Sequence, residues 1–443
     1  MKTGSFEIMR AYRVKVLVVV LGVLFASLGL LASSPADAFP VLFIVNNTAD
    51  PGDGNCTAHG CTLREAINEA NDFSGKDAIH FDIPGGGVKT ISPASPLPEI
   101  TDEVTIDGYT QPGTSSNSLA KGTDAVLKIE LNGENAGDFV DGLSIAASNS
   151  VVRGLVINRF GADGTELSGS NNKVAGNFIG TGPGGTLDRG NGNCGVAVLF
   201  EGTSGNTIGG TTPAARNLIS GNGCGITIDY GASDNEIRGN LIGTQNDGTT
   251  PLGNSGSGVA FDFGGDNSAF DNVVGGDTSA AANTIAFNGD DGVQVTDEGS
   301  TGNRVLRNSI FGNGGLGIDL VGGTENAADA TFNDPGDPDS GPNDLQNKPN
   351  LTSAENSGGE TTIEGELNSK PNQPFTVRFF SNPPDTNEGK RFIGKKKVST
   401  SADGLRSFAF EPDKKVSVGR NITATATDPD GNTSEFSGSE EVV

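Results

Sequence analysis

The sequence predicts an all-β protein: a right-handed parallel β-helix with an N-terminal capping helix, followed by a small C-terminal Ig-like β-sandwich. Three observations carry this. A motif of three short alternating segments recurs from Asn172, with unit starts at 172, 206, 235, 272 and 303. Glycine is abundant at 67 residues while aromatics make up 6%, a composition poor in helix and rich in turns. The period stops after Leu320, and from Thr361 longer alternating runs cover a length that suits an antiparallel sandwich.

The repeat defines the solenoid. Asn206-Thr207-Ile208, Asn217-Leu218-Ile219 and Gly225-Ile226-Thr227-Ile228 form one unit, and Asn235-Glu236-Ile237, Asn240-Leu241-Ile242 and Gly258-Val259-Ala260-Phe261 the next. Three short strands cannot bury their own apolar face, so successive units must stack and share a core. Leucine-rich repeats and propellers would show regular leucines with helical arcs, or aromatic blade markers, and neither is present. Alternation points Ile226, Ile228, Val259, Phe261, Val293 and Val295 into the bore. Asn177, Asn217, Asn240, Asn283 and Asn308 recur at one turn of each coil, where they should stack as an amide ladder. Unit lengths alternate because extra residues fall after the second strand in one coil and after the first strand in the next. Loops on every second rung should then flank the second strand and form a shallow groove for a linear partner.

The cysteines follow from the stacking. Cys194 and Cys224 precede equivalent glycines in adjacent coils, about one rung or 5 Å apart, which is within disulfide range. Cys56 and Cys61 pair by elimination.

At the N-terminus, residues 1–38 read as a secretory signal. Lys2, Arg10, Arg13 and Lys15 precede an apolar run from Val16 to Leu31, and Ala36-Asp37-Ala38 offers a cleavage site. A membrane anchor is the competing reading, but the run is short for a bilayer and no charge cluster follows it. Removing four basic and two acidic residues takes the formal charge from −26 to about −28. An acidic chain with one short basic run, Lys395-Lys396-Lys397, does not suit nucleic acid. The expected product is secreted, extracellular or at the cell surface, without membrane insertion after cleavage. Nothing in the pattern sets an oligomeric state. Residues 39–147 then supply a cap and the first coils, and residues 148–332 the repeats. In the cap, Thr62 with Glu65 makes a capping box, and Leu63, Ala66, Ile67 and Ala70 share one helical face between Cys61 and Phe73.

Here the chain resembles a known group. Cys61-Thr62-Leu63-Arg64-Glu65-Ala66 is similar to the Cys-Ser-Leu-Arg-Glu-Ala signature of CSLREA-domain proteins, with Thr for Ser. The stretches from Phe43 to Asp50 and from Thr105 to Gly113 resemble that group as well. The resemblance implies a secreted bacterial β-helix of the pectin-lyase-like type and implies no established reaction.

Residues 333–358 form an acidic, Pro-rich connection. Asp334, Asp337, Asp339 and Asp344 around two glycines would suit calcium, which takes six to eight oxygens; a plain linker is the simpler reading. Residues 359–443 carry alternating runs at Thr361 to Leu367, Phe375 to Phe380, Phe392 to Val398, Ser407 to Phe410 and Ile422 to Thr427. These predict the sandwich.

Catalytic groups are sparse. Asp229 and Asp262 occupy equivalent outward positions one rung apart, the kind of carboxylate pair glycoside hydrolysis uses, although a solvated acidic stripe would look the same. Asp290-Asp291 resembles the paired aspartates of polygalacturonases, but that family's Gly-His-Gly and Arg-x-Lys elements are missing. No zinc cluster, nucleophile elbow or phosphate loop is present. The expectation is an exported non-catalytic binding or structural protein that engages a polysaccharide or other surface polymer along the β-helix face. Phe178, Leu218 and Leu241 would supply an apolar track unless loops cover them. The alternative is a polysaccharide lyase or glycoside hydrolase acting on acidic polysaccharide. No cofactor is required, and calcium is the one cation for which ligands can be named.

Overall fold

The computed structural model describes residues 40–52, 54–261, 268–326 and 330–443. The expected signal segment and Asp262 lie outside the described residues. The described residues form a parallel β-helix closed by an antiparallel sandwich. Three parallel sheets of nine, eight and seven strands run along the solenoid, each taking one strand from successive coils. Register is strict: Val174 lies beside Ile208, Ile219 beside Ile242, and Ile226 beside Val259. The bore is filled by the residues that alternation points inward, with Ile226, Ile228, Val259, Phe261, Val293 and Val295 all fully buried. Glycine opens the third strand because coils approach closely there. A Cβ on Gly225 would lie 2.2 Å from the carbonyl oxygen of Gly258 in the next coil.

Three asparagine ladders turn the coils, where the sequence predicted one. In the expected ladder, Asn217 Nδ2 donates to Asn240 Oδ1 at 3.0 Å and Asn240 Nδ2 to Asn283 Oδ1 at 3.0 Å. A second column runs through Asn172, Asn206, Asn235, Asn272 and Asn303. A third runs through Asn191, Asn222, Asn254, Asn288 and Asn313. Each buried amide accepts from one coil's backbone and donates to the next side chain or to a carbonyl, so the turns of these coils are satisfied by the protein's own groups. The third column escaped the repeat alignment because the loops of variable length precede it.

Both predicted disulfides form. Cys194 and Cys224 are register partners with Cα atoms 4.3 Å apart, and Cys56 and Cys61 close a local loop at 4.1 Å. The capping helix spans Leu63–Asp72, and Thr62 and Glu65 make the reciprocal capping box. Arg64 binds Asp50 through two nitrogens, at 2.6 and 2.9 Å, and also reaches the carbonyls of Ser95 and Pro96. The helix is thereby tied to the first coils.

The sandwich has a three-stranded sheet (Asn350–Ser357, Glu360–Asn368, Leu405–Phe410) and a four-stranded one (Arg391–Ser399, Pro374–Asn382, Asn421–Thr427, Glu440–Glu441). Its first strand lies inside the stretch expected to be a linker. A register shift between Leu351 and Ser353 breaks the alternation that would have revealed it. The connection is also more than a tether, since Asn343 accepts from Asn303 N at 2.9 Å and extends the second column. Sandwich side chains then satisfy the last coil: Thr433 Oγ1 accepts from Val305 N, the Glu435 carboxylate from Leu320 N and Thr331 N, and Glu388 from Gly312 N and Asn313 N. An open solenoid end would otherwise expose an unpaired edge.

Candidate functional site

Among the described residues, a concavity lies over the first sheet. Val152 and Val174 point into the core from the adjacent strands Val151–Arg153 and Lys173–Ala175, so Val151, Arg153, Lys173 and Ala175 form an outward floor. One wall is the long excursion that leaves the first sheet at Asp107, presenting Tyr109, Thr114, Ser115 and Ser116. The other is the shorter loop carrying Thr212, Ala214 and Ala215. Between them is an open groove of about 570 Å³.

The walls are pinned to each other. Tyr109 Oη donates to Gly176 O at 2.7 Å, and burial pushes its phenol up to about 12, so it remains a neutral donor. Arg216 Nη1 donates to Leu119 O and Gly122 O, Nη2 to Ala120 O, and Asn117 Nδ2 to Pro213 O. With the loops held by buried and charge-assisted bonds, the groove is preformed.

Its polar groups are distributed unevenly. Arg153 Nη2 meets Asp107 Oδ2 at 2.6 Å, leaving half of the arginine side chain exposed. Lys173 is exposed, and among the described residues it has no ion-pair or hydrogen-bond partner for its ammonium group. Ser115, Ser116 and Thr212 present exposed hydroxyls.

The predicted apolar track is corrected by the structure. Phe178, Leu218 and Leu241 are 2%, 0% and 3% exposed and form a second, smaller core with Leu127 and Val156. The loops that were expected to flank the second strand instead fold over it. Gly185 sits so near that a Cβ would come 2.9 Å from Leu218 Cδ2. At about 1.5–3 kcal/mol for each large apolar side chain buried, uncovering all three would cost roughly 5–9 kcal/mol. The roof therefore stays shut, and the usable groove flanks the first strand.

The other predicted sites separate. Asp229 is buried at the end of its strand, where Oδ1 accepts from Tyr230 N at 2.6 Å in a tight turn, so it does not line an open cleft. In the acidic connection, Asp334, Asp337 and Asp339 each bring a carboxylate oxygen within 4.8 Å of the others, while Asp344 is withdrawn by Lys370 at 2.8 Å. The expected set of four is thus three. Burial pushes the Asp337 carboxyl up to about 6, and its oxygens accept from Asn347 N, Gln346 and Ser369.

One carboxyl grouping was missed, and a second, around Asp291, was named only as a pair with Asp290 and without its partner Asp319. Asp141, Asp163 and Glu166 converge beside the third sheet; burial pushes Asp163 up to about 7 although Cys194 N donates to it at 2.8 Å. Asp291, pushed up by burial to about 6, accepts from Leu316 N and Gln294 Nε2 and hydrogen-bonds Asp319. The groove was missed too, although aligning Val151-Val152-Arg153 with Lys173-Val174-Ala175 would have put both cations on one outward face.

No family model matches the chain, and no curated protein matches it. Among solved structures, it has a weak similarity to the tailspike protein gp49 from Acinetobacter baumannii bacteriophage Fri1, a capsular polysaccharide depolymerase. That chain is 9% identical, with 84% of this chain and 80% of the other covered, at a TM-score of 0.15.

Proposed function

We propose that this is an exported, non-catalytic protein that binds a polysaccharide in the groove over the first sheet. The observation that carries the reading is the groove itself: a preformed channel floored by a regular sheet and walled by exposed hydroxyls. Such a surface offers many modest hydrogen bonds to a chain of sugar hydroxyls and no assembled reaction centre. Two disulfides support an oxidising destination, and no helix among the described residues is long and apolar enough to cross a membrane. The CSLREA kinship is part of this proposal, supported by the Thr62–Glu65 box and the Arg64–Asp50 pair that give the signature's residues structural work.

The test is affinity electrophoresis through gels loaded with a panel of polysaccharides. Retardation without new reducing ends or unsaturated products is expected, and Ala214→Trp, which fills the groove, should abolish it. The catalytic alternative is favoured by one observation, the buried Asp291 carboxyl hydrogen-bonded to Asp319. Product formation that disappears in Asp291→Asn would replace the binding reading with that one.

Calcium is proposed as a brace for the connection. Asp334 Oδ1 and Asp339 Oδ1 are buried without hydrogen-bond partners, which supports a cation held by three carboxylates. Calcium should raise the thermal midpoint of the intact protein and leave Asp339→Asn unmoved.

A further inference from the structure

We infer that the polymer in the groove is anionic and that Lys173 selects it, an inference that rests on the groove being the binding site. A chain of formal charge −26 repels polyanions at long range, so binding one requires a local exception. The groove floor is such an exception. Arg153 pairs in register with Ala175 and Lys173 with Val151, which places the two cations diagonally on adjacent strands. Strand spacing and rise set their Cβ atoms about 8 Å apart.

Other cations on the same outward face are engaged. Arg238 is paired with Glu236, Arg304 donates to Asp430 O, and Arg153 gives one nitrogen to Asp107. Lys173 alone of these four has no protein partner among the described residues. It also lines the same groove as the exposed hydroxyls of Ser115, Ser116 and Thr212. An ammonium so placed gains a charge-assisted bond from a carboxylate or sulfate on a sugar while the hydroxyls bind the rest of the residue. A neutral sugar offers only an exchange of water.

The experiment uses matched polymers that differ only in charge: polygalacturonate against its carboxyl-reduced form, and dextran sulfate against dextran. The full chain, Lys173→Met and Ala214→Trp are run in gels loaded with each. The charged member of at least one pair should bind roughly 10- to 100-fold tighter, Lys173→Met should erase that preference, and the pair that responds identifies carboxylate or sulfate. Equal binding of charged and neutral members, or a preference that survives in Lys173→Met, overturns the inference while leaving the groove reading intact provided Ala214→Trp abolishes binding. Binding unaffected by Ala214→Trp, or no binding to any polymer, overturns the groove reading and the inference together.

Discussion

Asn217 and Asn240 stand 23 residues apart in sequence and touch side chain to side chain, Nδ2 to Oδ1 at 3.0 Å, with both amides buried. Asn240 also donates to Ile208 O and to Asn283 Oδ1, so a single side chain links three coils. Replacing it with Ala strands several buried groups at about 1–3 kcal/mol each, and a loss of roughly 3 kcal/mol is expected. Urea denaturation of Asn240→Ala checks this; an unchanged midpoint would mean that water replaces the amide.

The Cys194–Cys224 bridge joins adjacent coils across 30 residues of chain. A loop of that length corresponds to about 3–4 kcal/mol of chain entropy removed from the unfolded state. The double replacement Cys194→Ser with Cys224→Ser should lower the denaturant midpoint accordingly and open the exchange of nearby amides. A midpoint shift below a quarter of that size would show that coil stacking alone holds this region.

Asp163 sets a pH dependence of unusual sign. Its folded carboxyl titrates at about 7 because burial disfavours the charge, whereas an unfolded one titrates near 4. Between those values the folded state binds more protons than the unfolded state. Its contribution is fully present below about pH 4 and is lost as pH rises through about 7. Asp163→Asn, which keeps an oxygen for Cys194 N, should therefore gain stability relative to the parent between pH 4 and 7.5. Thermal midpoints that run parallel across that range for both proteins would contradict the assignment.

Glu435 holds the sandwich to the solenoid. Its carboxylate accepts from Leu320 N and Thr331 N and pairs with Lys348 at 2.6 Å, with little exposure on either side. Glu435→Ala leaves two amides without their side-chain acceptor and takes the counter-charge from a partly buried ammonium that keeps only the Thr331 carbonyl, a cost of about 3 kcal/mol. Hydrogen exchange at Ile318–Leu320 should quicken while that at Ile226 and Ile228 is unchanged. Uniform quickening throughout the chain would indicate one cooperative unit with no separable joint.

Much of this molecule was legible in its residue order. Ile226, Ile228, Val259 and Phe261 could be pointed inward because side chains alternate along a strand, and Cys194 could be paired with Cys224 because identical repeats must stack in register. The capping helix was readable from local spacing alone, through Thr62, Glu65 and the apolar face from Leu63 to Ala70. Each of these depends on neighbours in sequence or on a fixed period.

What the periodicity could not supply was the course of the excursions between strands. Whether Phe178, Leu218 and Leu241 faced solvent depended on segments from other coils closing over them, a contest between loop entropy and buried apolar area. Whether Lys173 stayed unpaired depended on where acidic side chains from other coils came to rest. Local order therefore set the solenoid, its inward columns and its cross-coil disulfide. Long-range packing decided which outward face was roofed and which was left open.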